Sequence, residues 1–199
     1  MTARDPMTPQ LARVRQRHHD CGEVWTLEIE ADEPPGVCFR PGQFNMVTAF
    51  GVGEIPISLS GDPAKSERLV HTIRAVGPVS AALTRMNPGD VIGLRGPFGT
   101  GWPVDEAVGK EVIVIAGGLG LAPLRPALYQ LRANRERYGR IVVLYGTRSP
   151  ADILFEREIE TWRRFDIDFQ CTVDHAVSGW EGNVGVVTTL VPHVAFDPG

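Results

Sequence analysis

The sequence predicts a two-domain β plus α/β protein: an N-terminal antiparallel β-barrel over residues 1–104, then a parallel α/β domain over residues 105–199. Three observations carry this. Up to about residue 105, short alternating segments are separated by Gly/Pro turns. Beyond it, continuous apolar runs alternate with helical stripes, the pattern of strands buried on both faces of a parallel sheet. The 22 Gly and 16 Pro supply more turns than an average chain carries, which suits a β-rich half and loops that approach a ligand by backbone.

In the first half, residues 11–17 and 24–29 read as strands. In the second of these, Trp25, Leu27 and Ile29 share one face and Thr26, Glu28 and Glu30 the other. Pro34-Pro35-Gly36 reads as a turn, and Pro41-Gly42 leads into a strand over 44–48. Strands over 55–59 and 69–75 follow, and Val79, Ala82, Leu83 and Met86 fit a short helix within 77–86. Asn87-Pro88-Gly89-Asp90 is a turn before a strand over 91–94. Six or more short strands with regular turns make a small antiparallel barrel.

The second half reads β-α-β-α-β. The run 112–116 is a buried strand, and Leu121, Leu124, Leu128 and Leu131 stripe a helix ending near Tyr138-Gly139. Residues 141–145 are a second strand, and Leu154, Phe155, Ile159 and Trp162 mark a second helix. Ile167, Phe169, Cys171 and Val173 alternate as a third strand. Trp180-Glu181-Gly182 reads as a turn, residues 182–190 follow, and the further α/β strand that this pattern calls for is missing.

Composition excludes several classes. Hydrophobic residues at 43% and charged residues at 22% provide a core and exclude wholesale disorder. A formal net charge of −4 argues against a protein that wraps nucleic acid by neutralising phosphates. The longest apolar stretch, 112–124, is too short and too rich in Gly and Pro to span a membrane, and residues 1–9 lack the apolar region of a signal peptide. Cys21, Cys38 and Cys171 are odd in number and far apart, which points to reduced thiols in a cytoplasmic protein and to no metal site built from this chain. His18 and His19, after Arg13, Arg15 and Arg17, read as a solvated strand edge, and His71 as a structural histidine. Arg132, Arg135, Arg137 and Arg140 read as a solvated helix end. There is no Ser-His-Asp, paired-carboxylate or metal-ligand spacing.

The strongest local signal is Ala116-Gly117-Gly118-Leu119-Gly120-Leu121-Ala122-Pro123, set between a strand and a helix. Glycines let an anionic ligand approach the backbone amides, and a helix start adds free N–H groups and partial positive charge. Pro123 fits the first helical turn and occupies the third glycine position of the usual dinucleotide fingerprint. The segment therefore reads either as a phosphate or dinucleotide site or as a plain strand-to-helix turn. A second Gly-rich segment, 96–102, reads as a ligand-facing loop or a linker.

The ordered set is Pro41-Gly42-Gln43-Phe44, Pro56-Ile57-Ser58, Ile73-Arg74, Gly77-Pro78-Val79-Ser80, Gly96-Pro97-Phe98-Gly99, the turn 117–123 and Tyr145-Gly146-Thr147-Arg148. Together these resemble the ferredoxin–NADP reductase family of flavoproteins across residues 10–199. Within it, the electron-transfer subunits of nickel–iron hydrogenases and sulfhydrogenases (their gamma or diaphorase subunits) and of dihydroorotate dehydrogenase are most similar.

The resemblance implies an FAD-binding barrel and an NAD- or NADP-binding α/β domain. Ser58 falls on the family serine that hydrogen-bonds near flavin N5, and is the expected catalytic residue. Pro56 and Ile57 flank it, with Ile57 on an aromatic position, and Ile55 stands where the family has an arginine for the flavin pyrophosphate. Ile73 and Arg74 fall on the segment beside the flavin, and Gly77, Val79 and Ser80 on a phosphate-binding turn. Gly96 belongs to the expected cofactor loop, and Gly117, Gly118, Gly120, Ala122 and Pro123 to the nicotinamide nucleotide site. Arg148 and Asp152 fall where the family contacts the adenosine ribose, which leaves NAD and NADP both open.

The implied function is a flavin-dependent electron-transfer subunit that moves electrons between NAD(P)H and iron–sulfur or hydrogenase subunits, by hydride transfer to FAD. The family's Cys-Gly-Pro strand and four-cysteine 2Fe–2S module have no counterpart here, so the chain reads as cut short or diverged at its C-terminus. A second reading is a docking or scaffold module that keeps the fold without turnover. A flavin-free dehydrogenase is disfavoured by the all-β first half.

Overall fold

The computed structural model describes residues 7–31, 38–65 and 67–195. The turn expected at Pro34-Pro35-Gly36 lies outside them. The chain divides into two compact units between Trp102 and Pro103.

The first unit contains β1 (Gln10–Cys21), β2 (Val24–Ala31), β3 (Phe44–Ala49), β4 (Gly53–Ser58), β5 (Leu69–Arg74), α1 (Pro78–Thr84) and β6 (Val91–Phe98). The strands form one antiparallel sheet in the order β4-β3-β6-β1-β2-β5. Its two ends meet just beyond β4, where Leu59 bridges to His71 and the Ser60 N–H donates to the Val70 carbonyl at 2.8 Å. Strand alternation fills the interior: Asn45, Val47 and Ala49 of β3 point in, and Phe44, Met46 and Thr48 are half-exposed. Val14, Leu27, Ile29, Ile73 and Ile92 complete the centre, and Leu83 of α1 closes one side.

Two sequence expectations change here. The strand expected over 91–94 runs on to Phe98. Its continuation pairs with β3, Arg95 with Met46 and, after a register shift, Phe98 with Phe44. The basic segment of β1 is a strand edge only in part: Arg13 pairs with Val91 of β6, whereas from Gln16 to Cys21 the strand pairs with β2 alone among the described residues. β1 lies between β6 and β2, and its charges occupy the solvent face, where Arg17 and His19 cover the ring of Trp25 at 4.7 and 4.6 Å.

The second unit contains β7 (Val112–Gly117), α2 (Leu121–Ala133), β8 (Ile141–Thr147), α3 (Glu156–Arg164), β9 (Ile167–Val173) and β10 (Asn183–Val184). Its sheet is parallel, in the order β10-β9-β8-β7. Every residue of β8 is buried, which explains its unbroken apolar sequence. Leu121, Leu128 and Leu131 give α2 its buried face; Ile159 and Trp162 do so for α3, with Trp162 stacked on Phe169 at 5.5 Å. Arg125 of α2 is paired with Glu158 of α3, which also accepts from the Tyr129 hydroxyl.

A 3-10 turn over Val187–His193 places Val187, Leu190 and Val191 against Val142 and Leu144. Gly146 is required there, since a Cβ would lie 2.8 Å from that of Val187. The helix expected to end near Tyr138 stops at Ala133. The Asn134 side chain caps the Gln130 carbonyl at 3.0 Å, and a 3-10 turn over Arg135–Arg137 delivers Tyr138 to its buried position. β10, only two residues long, lies inside the 182–190 segment, and among the described residues no further strand follows it. Among the described residues, no helix is long and apolar enough to cross a membrane.

Candidate functional site

In the first unit the candidate residues lie along β4 and at the start of α1. Pro56 is exposed on the outermost strand, where a missing N–H breaks no ladder. Ile55 and Ile57 pack against the barrel core, as does Val79 of α1. Ser58 is half-buried, and its hydroxyl makes no hydrogen bond to the protein among the described residues. Its carbonyl accepts from His71 Nδ1 at 3.0 Å.

His71 is wholly buried, and burial drives its pKa down to about 4 despite the carbonyls of Ser58 and Ile57. The ring is therefore neutral with its proton on Nδ1, and Nε2 accepts from the Asn45 amide at 3.2 Å. Asn45 Oδ1 is buried without a partner and faces Gly96, whose Cβ would stand 2.5 Å from it.

At the start of α1, Ser80 Oγ accepts from the N–H groups of Val76 (3.0 Å) and Gly77 (2.9 Å) and donates to the Gly77 carbonyl (3.1 Å). That hydroxyl is spent within the turn, so this end offers the backbone N–H groups of Val79 and Ser80. Arg74, exposed at the end of β5, has no ion pair among the described residues. On the outer face of the sheet, Arg95 is held by Glu54: its Nε donates to Oε1 at 3.0 Å, and it keeps the Glu54 carboxyl below its ordinary range. Arg95 is thus a neutralised cation.

In the second unit the candidate turn follows β7, at the carboxyl end of the parallel sheet, where ligands of such sheets bind. Gly118 has φ +49, but Gly117 (φ −123) and Gly120 (φ −61) have backbone angles open to any residue. A Cβ at any of the three would meet nothing within 4 Å. Nothing in the chain itself requires glycine at 117 or 120. Gly77 is open in the same way, at φ −153. Gly96 differs: its φ of +134 and the Asn45 contact account for the residue by packing alone.

Ala122 is buried and Pro123 lies in the first turn of α2. Beside this turn, Arg148 is exposed without an ion pair among the described residues. The Asp152 carboxylate accepts from the Ser149 hydroxyl at 2.7 Å. Cys171 is an inert thiol, since burial pushes its pKa up to about 11.

Comparison with known proteins agrees with this arrangement. Residues 114–196 match the oxidoreductase NAD-binding domain family. Over 133 residues the chain is 46% identical to sulfhydrogenase 2 subunit gamma of Pyrococcus furiosus, covering 67% of this chain and 45% of that one. It is 34% identical over 151 residues to a probable dihydroorotate dehydrogenase B (NAD(+)) electron transfer subunit of Methanocella arvoryzae, covering 75% and 53%. The fold superposes on the ferredoxin reductase in carbazole 1,9a-dioxygenase with a TM-score of 0.77, at 20% identity, over 94% of this chain and 57% of that one. The chain has the ferredoxin–NADP reductase-like fold, and residues 114–196 are an oxidoreductase NAD-binding domain.

This reductase-like chain spans about half the length of the relatives it matches. In the first unit the expected residues are spread along β4, with Ser58 at its end and Val79 of α1 beside Gly53 at its start, and two of the expected residues need qualification. The side chain of Ile73 is 1% exposed, so only its backbone is available, and Gly96 serves the packing of Asn45. Two polar residues stand out in the structure: Asn45, which the sequence motifs do not include, and Tyr145, which they include without a role of its own. Asn45 stands at an inward position of an alternating strand, and Tyr145 carries a hydroxyl inside a fully buried one. A polar group at such a position must find a partner, and that is the signal that marks both.

Proposed function

We propose that the chain is a flavin-dependent electron-transfer subunit that moves electrons between NAD(P)H and an iron–sulfur partner, in a complex of the hydrogenase or dihydroorotate dehydrogenase type. The observation that carries this is the open glycine turn after β7, within a segment matching an NAD-binding domain family, in a chain whose other unit is a reductase-like barrel. A bound FAD supplies hydride acceptance and one-electron release.

The protein's own residues bind and orient. The free Ser58 hydroxyl offers a hydrogen bond to the flavin ring, on a strand whose carbonyl His71 holds still. The Val79 and Ser80 amides and the Arg74 guanidinium offer donors to a pyrophosphate, in place of the arginine that Ile55 replaces. The backbone of Gly117, Gly118 and Gly120 offers close approach to the nicotinamide nucleotide. Arg148 favours a 2′-phosphate and Asp152 a free 2′-hydroxyl, so both nucleotides are tested. The three free thiols support a reducing, cytoplasmic compartment.

The test is the absorption spectrum of the purified protein, followed by anaerobic titration with NADH and, separately, NADPH. Flavin bands bleached by either nucleotide support the proposal and identify the nucleotide. A second reading, a docking module without turnover, is favoured by one observation: Ile55 packs into the core, and Arg95 on the other face of the sheet is neutralised by Glu54. A protein that stays colourless after reconstitution with FAD would establish that reading instead.

A further inference from the structure

Three glycines in a four-residue turn make a loop that many conformations fit, and binding to such a loop carries the entropy of ordering it. Among the described residues one side chain reaches the turn by hydrogen bond. The Tyr145 hydroxyl, from the end of β8, donates to the Gly118 carbonyl at 3.2 Å. The same oxygen accepts the Leu154 N–H at 3.3 Å. Leu154 lies two residues after the 3-10 turn over Pro150–Asp152, whose first residue is preceded by Arg148 and Ser149.

One phenol oxygen therefore joins two segments that are neighbours in space and 36 residues apart in sequence, from Gly118 to Leu154. Tyr145 is 0% exposed, with its ring edge-on to Phe169 at 6.1 Å, so it is held in place and water cannot replace its bonds.

We infer that Tyr145 is a positioning residue of the nucleotide site: its hydroxyl locks the glycine turn to the segment carrying Arg148 and Asp152, so that both contact regions are set before the nucleotide arrives. The inference rests on the nucleotide-binding reading of that turn. Tyr145 touches no reacting atom, and its effect is on affinity.

The experiment compares the flavin-reconstituted protein with Tyr145→Phe, which removes one oxygen and keeps the ring. Nucleotide affinity is read by fluorescence titration with NADH and NADPH, and amide hydrogen exchange is followed by mass spectrometry. The variant is expected to bind on the order of tenfold more weakly, the usual consequence of losing one buried hydrogen bond and stranding its partner. KM should rise with kcat unchanged, and exchange should quicken together at Gly118–Leu121 and at Leu154.

Unchanged affinity, or faster exchange in only one of the two segments, overturns the inference while the nucleotide reading stands. Wild-type protein that binds neither nucleotide overturns both. If Tyr145→Phe does not fold, exchange in the wild type decides. Joint protection of both segments on adding the nucleotide supports the lock, and protection of the glycine turn alone refutes it.

Discussion

His71 is neutral in the folded barrel because burial lowers its pKa from 6.5 to about 4. In the unfolded chain it takes up a proton below about pH 6.5. The unfolded state thus binds more protons between about pH 6.5 and 4, so this contribution to stability is complete above that window and is lost as pH falls through it. The interval from 6.5 to about 4, at roughly 1.4 kcal/mol per pH unit, is worth about 3 kcal/mol. That is a large share of the stability of a domain this size.

The perturbation is His71→Gln. Glutamine keeps one donor for the Ser58 carbonyl and one acceptor for the Asn45 amide, but does not titrate in this range. The assay is native-state hydrogen exchange of the amides pairing β2 with β5, at steps from about pH 7.5 to 4.5. Wild-type opening free energy should fall by about 2–3 kcal/mol over that range beyond the decline seen in the variant. The variant should begin about 1–2 kcal/mol lower, through imperfect replacement of a packed ring. Parallel curves would show that His71 takes no part in the acid response, and the argument from burial would fail.

Two further expectations separate packing from ligand approach and reactive from inert sulfur. Gly96→Ala should lower the melting temperature sharply, by the equivalent of about 2–4 kcal/mol, because it combines a positive φ with a Cβ 2.5 Å from Asn45 Oδ1. Gly117→Ala and Gly120→Ala should leave it within about 1 kcal/mol yet weaken nucleotide binding, measured by calorimetric unfolding and by titration. With iodoacetamide at mildly alkaline pH, exposed Cys38 should be alkylated first and Cys171 last, as followed by peptide mass mapping, since Cys171 has a pKa near 11 and is largely buried.

Most of the fold was legible because its signals are periodic. Alternation marked the barrel strands, and unbroken apolar runs marked β7 and β8. What was lost is what periodicity does not encode. The end of α2 is set by one Asn134 side chain bonding back to Gln130, whereas the hydrophobic pattern runs on to Tyr138. β10 is too short to have a period. The basic segment passes from the inside of the sheet at Arg13 to an edge beyond it, and that change is set by where β6 stops pairing, which the charge pattern does not encode.

At the candidate site, the strand–glycine–helix signature located the turn, but the sequence gives all glycines one letter. Gly96 and Gly146 are glycines because Asn45 and Val187 leave no room, whereas Gly117 and Gly120 face open space. That distinction, and the paths from Asn45 to Ser58 and from Gly118 to Leu154, exist only in three dimensions.

The sheet order of the first unit also has a consequence at the ribosome. Its last strand, β6, is central: it lies between β3 and β1, with Gln10 paired to Leu94. While the chain emerges, the first five strands can form the β1–β2–β5 and β3–β4 fragments and the Leu59–His71 bridge that joins them, but the gap between β1 and β3 stays open and the core is not enclosed. Such long-range closure is slow, so the nascent barrel waits with apolar surface exposed until residue 98 clears the exit tunnel. The second unit can add β8 to β7 and β9 to β8 as each appears. Translation pausing after the β6 codons is therefore expected to raise the yield of soluble protein, and pausing before them to lower it.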